Sequence, residues 1–163
     1  MAGVVHRLAT AHDVPALAQI YGAAARALGP SVYGPEQVAA WAQFGRDTPA
    51  FADYVLKART WVAEEAGGAA PLGFCGIGEE DGLHGEVHSL YVHPAHTRLG
   101  LGGQLLAHAL ADARLRGLRH FSAWVTPLSR PLFLRSGFEL VETVVAPYQG
   151  VLFERYRVAT RPS

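Results

Sequence analysis

The stretch from Glu86 to Leu106, EVHSLYVHPAHTRLGLGGQLL, constrains the fold more than any other part of the chain. Val87, Ser89 and Tyr91 alternate with His88, Leu90 and Val92, which is the period of a strand, and Pro94 ends it. A short turn leads to Gly100, Gly102 and Gly103, after which Leu105, Leu106, Ala109, Leu110 and Ala113 recur at helical spacing as far as Gly117. The pattern is strand, glycine turn, helix. The first amides of a helix have no acceptor within it and lie at the positive end of its dipole, so this junction suits an anion, and glycines let a phosphate approach the backbone. A turn that only joins strand to helix would carry the same glycines, and at this point both readings stay open.

Two familiar phosphate loops do not fit. A dinucleotide fingerprint needs a glycine at position 105, which is Leu, and an acid near the end of the next strand-like run, His120–Thr126, which has none. A Walker loop needs Gly-Lys-Ser/Thr, and Gln104 follows Gly103.

With 163 residues the chain reads as one domain, 1–163, able to bury its own core. Its 14 basic residues balance 14 acidic ones, so no excess charge points to nucleic acid or an acidic membrane, and a small-molecule partner is expected. Cys75 stands alone, which rules out an internal disulfide, and it reads as a small core residue. No secretory signal and no apolar run of membrane-spanning length is visible, so the expected location is cytoplasmic.

Taken in order, Val4–Ala9 reads as a strand, and Thr10 or Asp13 caps a helix with Leu17, Ile20, Tyr21, Ala24 and Leu28 on its apolar face. A second helix begins at Pro35 and carries Val38, Trp41, Ala42 and Phe44, and a further helical stretch starts at Asp47. The segment Ser31–Trp41 sets aromatic beside polar groups, as an acceptor pocket would, although buried packing is the better reading of Trp41 itself. Thr60–Glu64 and Leu72–Gly78 read as a hairpin around the turn Glu65–Pro71, and the turn Glu79–Gly85 returns to the signature strand. After Gly117 come a strand, His120–Thr126, a short helix, Ser129–Arg135, and a final pair, Glu139–Ala146 and Val151–Ala159.

The segment Leu90-Tyr91-Val92-His93-Pro94, followed by Thr97-Arg98-Leu99-Gly100-Leu101-Gly102, resembles the signature of the GCN5-related N-acetyltransferases, L-x-V-x-P then Q/R-x-x-G-x-G/A, with Thr97 as a departure. The element order β, α, α, β, β, β, α, β, α, β, β is similar to that family along the whole chain. YGPEQVAAWA, WVAEE, PLGF and PLFLRSGF resemble its YafP-like branch. The resemblance implies an α/β (α+β) fold, with a mixed six- to seven-stranded central sheet flanked by helices on both faces. It implies acetyl-CoA as co-substrate, an amine of a small molecule or protein as acceptor, direct attack in a ternary complex, and a fold in which a homodimer is common. The cofactor residues implied are Leu90, Tyr91 and Val92 on the strand, Thr97, Arg98, Leu99, Gly100, Leu101, Gly102 and Gly103 in the loop, and Thr126 and Phe133 further on.

Acetyl transfer needs a neutral amine, and a lysine-like amine with pKa ~10.4 must lose a proton near pH 7. Residues two apart on a strand share a face, so Glu86 and His88 point one way. In arylalkylamine members of the family two histidines at the matching positions take up the amine proton, which makes Glu86 and His88 the candidate bases. Many members place a tyrosine in the late helix to protonate the leaving thiolate, whereas Phe133 stands there in this chain. Tyr148, near the last hairpin turn, is the candidate substitute. The histidines His84, His88, His93 and His96 raise a metal reading, but strand parity and Pro94 keep them apart, and no metal is expected. Phe133 and Thr97 also leave room for a non-catalytic acyl-CoA-binding or sensor module.

Overall fold

Residues 3–68 and 70–161 are described by the computed structural model. Ala69, in the turn expected at Glu65–Pro71, and the side chain of Arg98 lie outside the described residues. The strands are β1 (Val4–Leu8), β2 (Arg59–Glu65), β3 (Pro71–Glu79), β4 (His84–Val92), β5 (His120–Val125), β6 (Glu139–Tyr148) and β7 (Val151–Ala159). The helices are α1 (Val14–Leu28), α2 (Pro35–Gln43), α3 (Thr48–Leu56), α4 (Leu101–Leu115) and α5 (Arg130–Arg135). The strands form one sheet in the order β1-β2-β3-β4-β5-β7-β6, with β4 and β5 parallel and the other pairs antiparallel. Among the described residues no helix is long and apolar enough to cross a membrane.

Each face of the sheet carries its own core. Leu105, Leu106, Ala109, Leu110 and Ala113 of α4 pack with Phe133 and Phe138 against Cys75, Val87, Phe121 and Val158 on one face. On the other, Leu17, Ile20 and Tyr21 of α1 and Phe51 and Val55 of α3 pack on Val62 and Phe74. The apolar stripes read from helical spacing are these buried faces. Burial pushes the Cys75 thiol up to about 12, which leaves it protonated and unreactive at neutral pH.

Three local departures from the sequence reading bear on the site. Strand β4 begins at His84, three residues before Val87, because Glu80 N–H donates to His84 O at 2.8 Å and closes a turn tighter than Glu79–Gly85. Phe44 falls outside α2, in a single turn of 3-10 helix spanning Phe44–Arg46. Helix α4 starts at Leu101, so Gly102 and Gly103 belong to its first turn and only Gly100 is a turn residue, with φ +74. A side chain at that angle would be strained, which explains the glycine.

The entry to α1 is fixed by charge. Thr10 precedes a turn of 3-10 helix, Ala11–Asp13, and its N–H donates to Asp13 Oδ2 at 2.8 Å. The Arg7 guanidinium of β1 grips both Asp13 oxygens at 2.8 and 2.9 Å, in the bidentate geometry of the strongest charge-assisted pairs. That pairing holds the Asp13 carboxyl down at about 2. A depressed carboxyl stabilises the fold above its ordinary range, and the contribution is lost as pH falls from about 4 through about 2. Asp13→Asn is therefore expected to cost about 2 kcal/mol at pH 7, with the gap to the parent protein closing as denaturation is measured toward pH 2.

Candidate active site

The parallel pair β4–β5 is short. Its register runs from His84↔His120 to Val87↔Ala123 and stops, so the last residues of β4 are held by β3 alone and the end of β5 by β7 alone. The cause is visible in β4. Gly76 pairs with Ser89 and Ile77 with Val87, which leaves His88 as an extra residue in a bulge. The strict alternation expected along this strand is broken there. The carbonyl of His88 accepts the Tyr54 hydroxyl of α3 at 2.7 Å, so the bulge is tied to the helix above it.

Between the parted strands is a cleft of about 170 Å³, walled by β4 from Val87 to Tyr91, by Trp124 to Thr126, and by Phe133. The N-terminus of α4 lies beside the end of β4, with Gly102 against Val92, and is not among the residues lining the cleft. Gln104 N–H donates to Gly100 O at 3.1 Å, which leaves the amides of Leu101, Gly102 and Gly103 ahead of the first bond closed back onto Gly100. A Cβ at Gly102 would lie 3.2 Å from Leu132 Cδ2 of α5 and 3.8 Å from Val92 Cγ2. Glycine here lets the first turn of α4 close on α5 and β4, a packing reason that the phosphate argument did not include.

The loop residues divide by what they can offer. Leu101 is fully buried, so it contributes a main-chain amide only, while Leu99 is exposed. The Thr97 hydroxyl donates to Pro94 O at 3.3 Å, within its own turn. Leu90 and Val92 pack on the α4 side of the sheet and Tyr91 on the α1 side. The Thr126 hydroxyl lies 3.3 Å from Ser129 Oγ and accepts Ser129 N–H at 3.2 Å, so it starts α5 as well as facing the cleft. Phe133 is 2% exposed and meets Phe138 edge to face at 5.0 Å, so it is a core residue whose outer edge reaches the cleft.

Glu86 and His88 do come together. Their ligand atoms, with that of Glu80, lie within 4.8 Å of one another, although they meet at the bulge rather than along a regular strand. The His88 ring lies across Gly78, where a Cβ would collide with Nε2, and Nε2 is 3.8 Å from Glu80 Oε1. Glu86 is committed elsewhere: Arg157 Nη1 of β7 donates to its Oε1 at 2.6 Å, and Nη2 donates to Ser122 Oγ at 2.9 Å. Ser122 Oγ is in turn 2.6 Å from His84 Nε2. Glu80 and Arg157 gave no signal in the sequence, because one lay in a turn and the other in a final strand that carries no motif.

Beyond the cleft, and sharing Trp41, Tyr91, Trp124, Val125 and Thr126 with it, is a second hollow of about 230 Å³. Tyr21, Tyr33 and Phe153 add further rings, and Arg155 stands among them. Burial raises the hydroxyls of Tyr21 and Tyr91 above the ordinary tyrosine range and pushes Tyr33 up to about 12, so these walls stay neutral. The hairpin turn Gln149-Gly150, both residues at positive φ, brings Tyr148 to this hollow, and Gln37 of α2 ties the hairpin down by donating to Leu152 O at 3.0 Å. The Tyr148 hydroxyl is buried with no hydrogen-bond partner among the described residues. A larger hollow of about 390 Å³ lies between α3, α4 and the start of β2, but there Arg59 is paired with Asp112 at 2.7 Å.

The central sheet parts at one parallel pair, and the glycine-led first turn of α4 packs against the end of β4 that β5 leaves unpaired, at Val92. The model of the Acetyltransferase (GNAT) family matches residues 24–138, more than half of the chain, and the chain belongs to that family. It is 27% identical over 130 residues to YafP of Escherichia coli, an uncharacterised N-acetyltransferase, an alignment that covers 80% of this chain and 77% of that protein. Among solved structures it is similar to a GCN5-related N-acetyltransferase of Rhodopseudomonas palustris, with TM-score 0.87, 22% identity and coverage of 98% and 96% of the two chains. It is also similar to the PaiA N-acetyltransferase of Thermoplasma acidophilum in complex with coenzyme A, with TM-score 0.80, 14% identity and coverage of 98% and 99%. The seven-stranded sheet with helices on both faces is the fold that the resemblance implied.

Proposed function

We propose that the chain is a single-domain N-acetyltransferase that moves an acetyl group from acetyl-CoA to a primary amine by direct attack in a ternary complex. The observation that carries the reading is the end of β4–β5 pairing at Val87↔Ala123, with the first turn of α4 against the end of β4 that β5 leaves unpaired, at Val92. The diphosphate of the cofactor sits on the amides of residues 98–103, and the pantetheine arm takes the place of the missing strand contacts along Leu90–Val92. PaiA, with the same fold, binds coenzyme A.

The amine enters from the aromatic hollow. His88, with Glu80 beside it, takes the amine proton as the new C–N bond forms, main-chain amides near Leu90–Val92 hold the oxyanion, and the C–S bond breaks. The released thiolate takes a proton from solvent or from Tyr148, since Phe133 has none to give. Glu86, held by Arg157, shapes the site rather than carrying the proton.

The test is thiol release from acetyl-CoA with a panel of primary amines, read with the mass of the acetylated product. Amine-dependent release is the expected result. Tight acetyl-CoA binding with no release by any amine would instead favour a passive acyl-CoA-binding module, the reading to which the buried hydrocarbon of Phe133 lends weight.

A further inference from the structure

The hollow beyond the cleft has one ionised side chain on its wall, and it is cationic. Arg155 makes no ion pair or hydrogen bond among the described residues, and its guanidinium lies over the Trp124 ring, 4.7 Å from the centroid. Two residues on, Arg157 also approaches Trp124 but is spent on Glu86 and Ser122. Among the described residues no Asp or Glu lines the hollow. A polyamine or an aminoglycoside, carrying several ammonium groups, would meet a guanidinium on that wall, while the nearby Glu154 carboxylate lies outside the lining and accepts the Tyr156 hydroxyl. A protein N-terminus would have to thread a hollow of about 230 Å³, below the ~300–1,000 Å³ of pockets for drug-sized ligands.

The remaining features fit one kind of molecule. Arg presents a planar fork that pairs with a carboxylate through two parallel hydrogen bonds, and stacking on Trp124 holds that plane in place. The rings of Tyr21, Trp41 and Phe153 offer an apolar chamber alongside. The unpartnered Tyr148 hydroxyl supplies one further polar contact.

Building on the acetyl-transfer reading above, we propose that the acceptor is a single amino acid with an apolar or aromatic side chain. Its carboxylate pairs with Arg155, its side chain lies among the rings, and its amine faces the cleft across Trp124–Thr126, the wall that the two hollows share.

The experiment measures kcat and KM for L-phenylalanine, L-leucine and L-methionine against 2-phenylethylamine, isoamylamine and spermidine, at saturating acetyl-CoA and equal free-amine concentration. The parent protein and Arg155→Gln are compared, with thermal melting in coenzyme A as the check on folding and cofactor binding. L-Phenylalanine and L-leucine are expected to exceed 2-phenylethylamine and isoamylamine, their decarboxylated counterparts, at least tenfold in kcat/KM, and all three amino acids to exceed spermidine. In Arg155→Gln that preference falls to about one, chiefly through KM. Equal or better turnover of the decarboxylated amines or of spermidine by the parent protein overturns this proposal and leaves acetyl transfer standing. A preference that survives in a folded Arg155→Gln protein also overturns it. No thiol release with any of the six amines overturns the proposal together with the reading it rests on.

Discussion

Gly103→Asp is expected to weaken coenzyme A binding about 100-fold while leaving the protein as stable as before. Position 103 is the third residue of α4, and a Cβ there meets Leu132 Cδ1 at 3.6 Å, an ordinary contact that requires no shift. An acid in the first turn of a helix is favourable by about 0.3–1 kcal/mol because it answers the dipole, and replacing a helical glycine removes an entropic cost. Folding therefore gains or breaks even. Binding does not, because the new carboxylate occupies the positive end of α4 and faces a diphosphate. Two like charges about 5 Å apart at an effective dielectric near 20 repel by roughly 3 kcal/mol before salt screening, enough for the stated loss. Gly103→Ala, which adds the Cβ without the charge, is expected to keep affinity within a few-fold and to melt slightly higher. Calorimetric titration with coenzyme A reads the affinities, and denaturation reads the stabilities. If the aspartate variant binds within threefold of the parent protein, the α4 N-terminus is not where the phosphates lie.

The contrast between Gly103 and its neighbours shows what is legible in a single chain. Strand, turn and helix were readable because they depend on local spacing, and the motif around Gly100 carried the family with it. The exact start of α4 was not, since the glycine at 102 answers to Leu132 of a distant helix, 3.2 Å from where its Cβ would lie, rather than to the turn alone. The bulge at His88 escaped for a similar reason. It is a mismatch between β4 and its partner β3, and neither strand alone contains it. The aromatic hollow is less local still, drawing Tyr21 from α1, Trp41 from α2, Trp124 from β5 and Phe153 and Arg155 from β7. Tyr21 read as one more apolar residue on a helix face, and Arg155 drew no reading at all, because their convergence exists only once the sheet has formed.

His88→Gln is expected to lower kcat/KM about 100-fold at pH 7, within the range that a positioned acid–base group contributes. The size of the deficit should depend on pH in a particular direction. If His88 removes the amine proton, it becomes dispensable as the pH approaches the amine's own pKa, ~10.4 for a lysine-like acceptor, where solvent supplies the neutral amine unaided. The ratio of parent to variant activity should then shrink steadily from pH 7 upward. Glu86→Gln provides the internal contrast, because Arg157 already holds that carboxylate at 2.6 Å and the loss should stay below about tenfold with little dependence on pH. A structural role for His88 predicts something else. Its ring packs over Gly78 beside the bulge, and disturbing that contact would misplace the strand for every substrate at every pH. A constant deficit from pH 7 to pH 10 would therefore assign His88 to holding the parted strands and leave the proton to water.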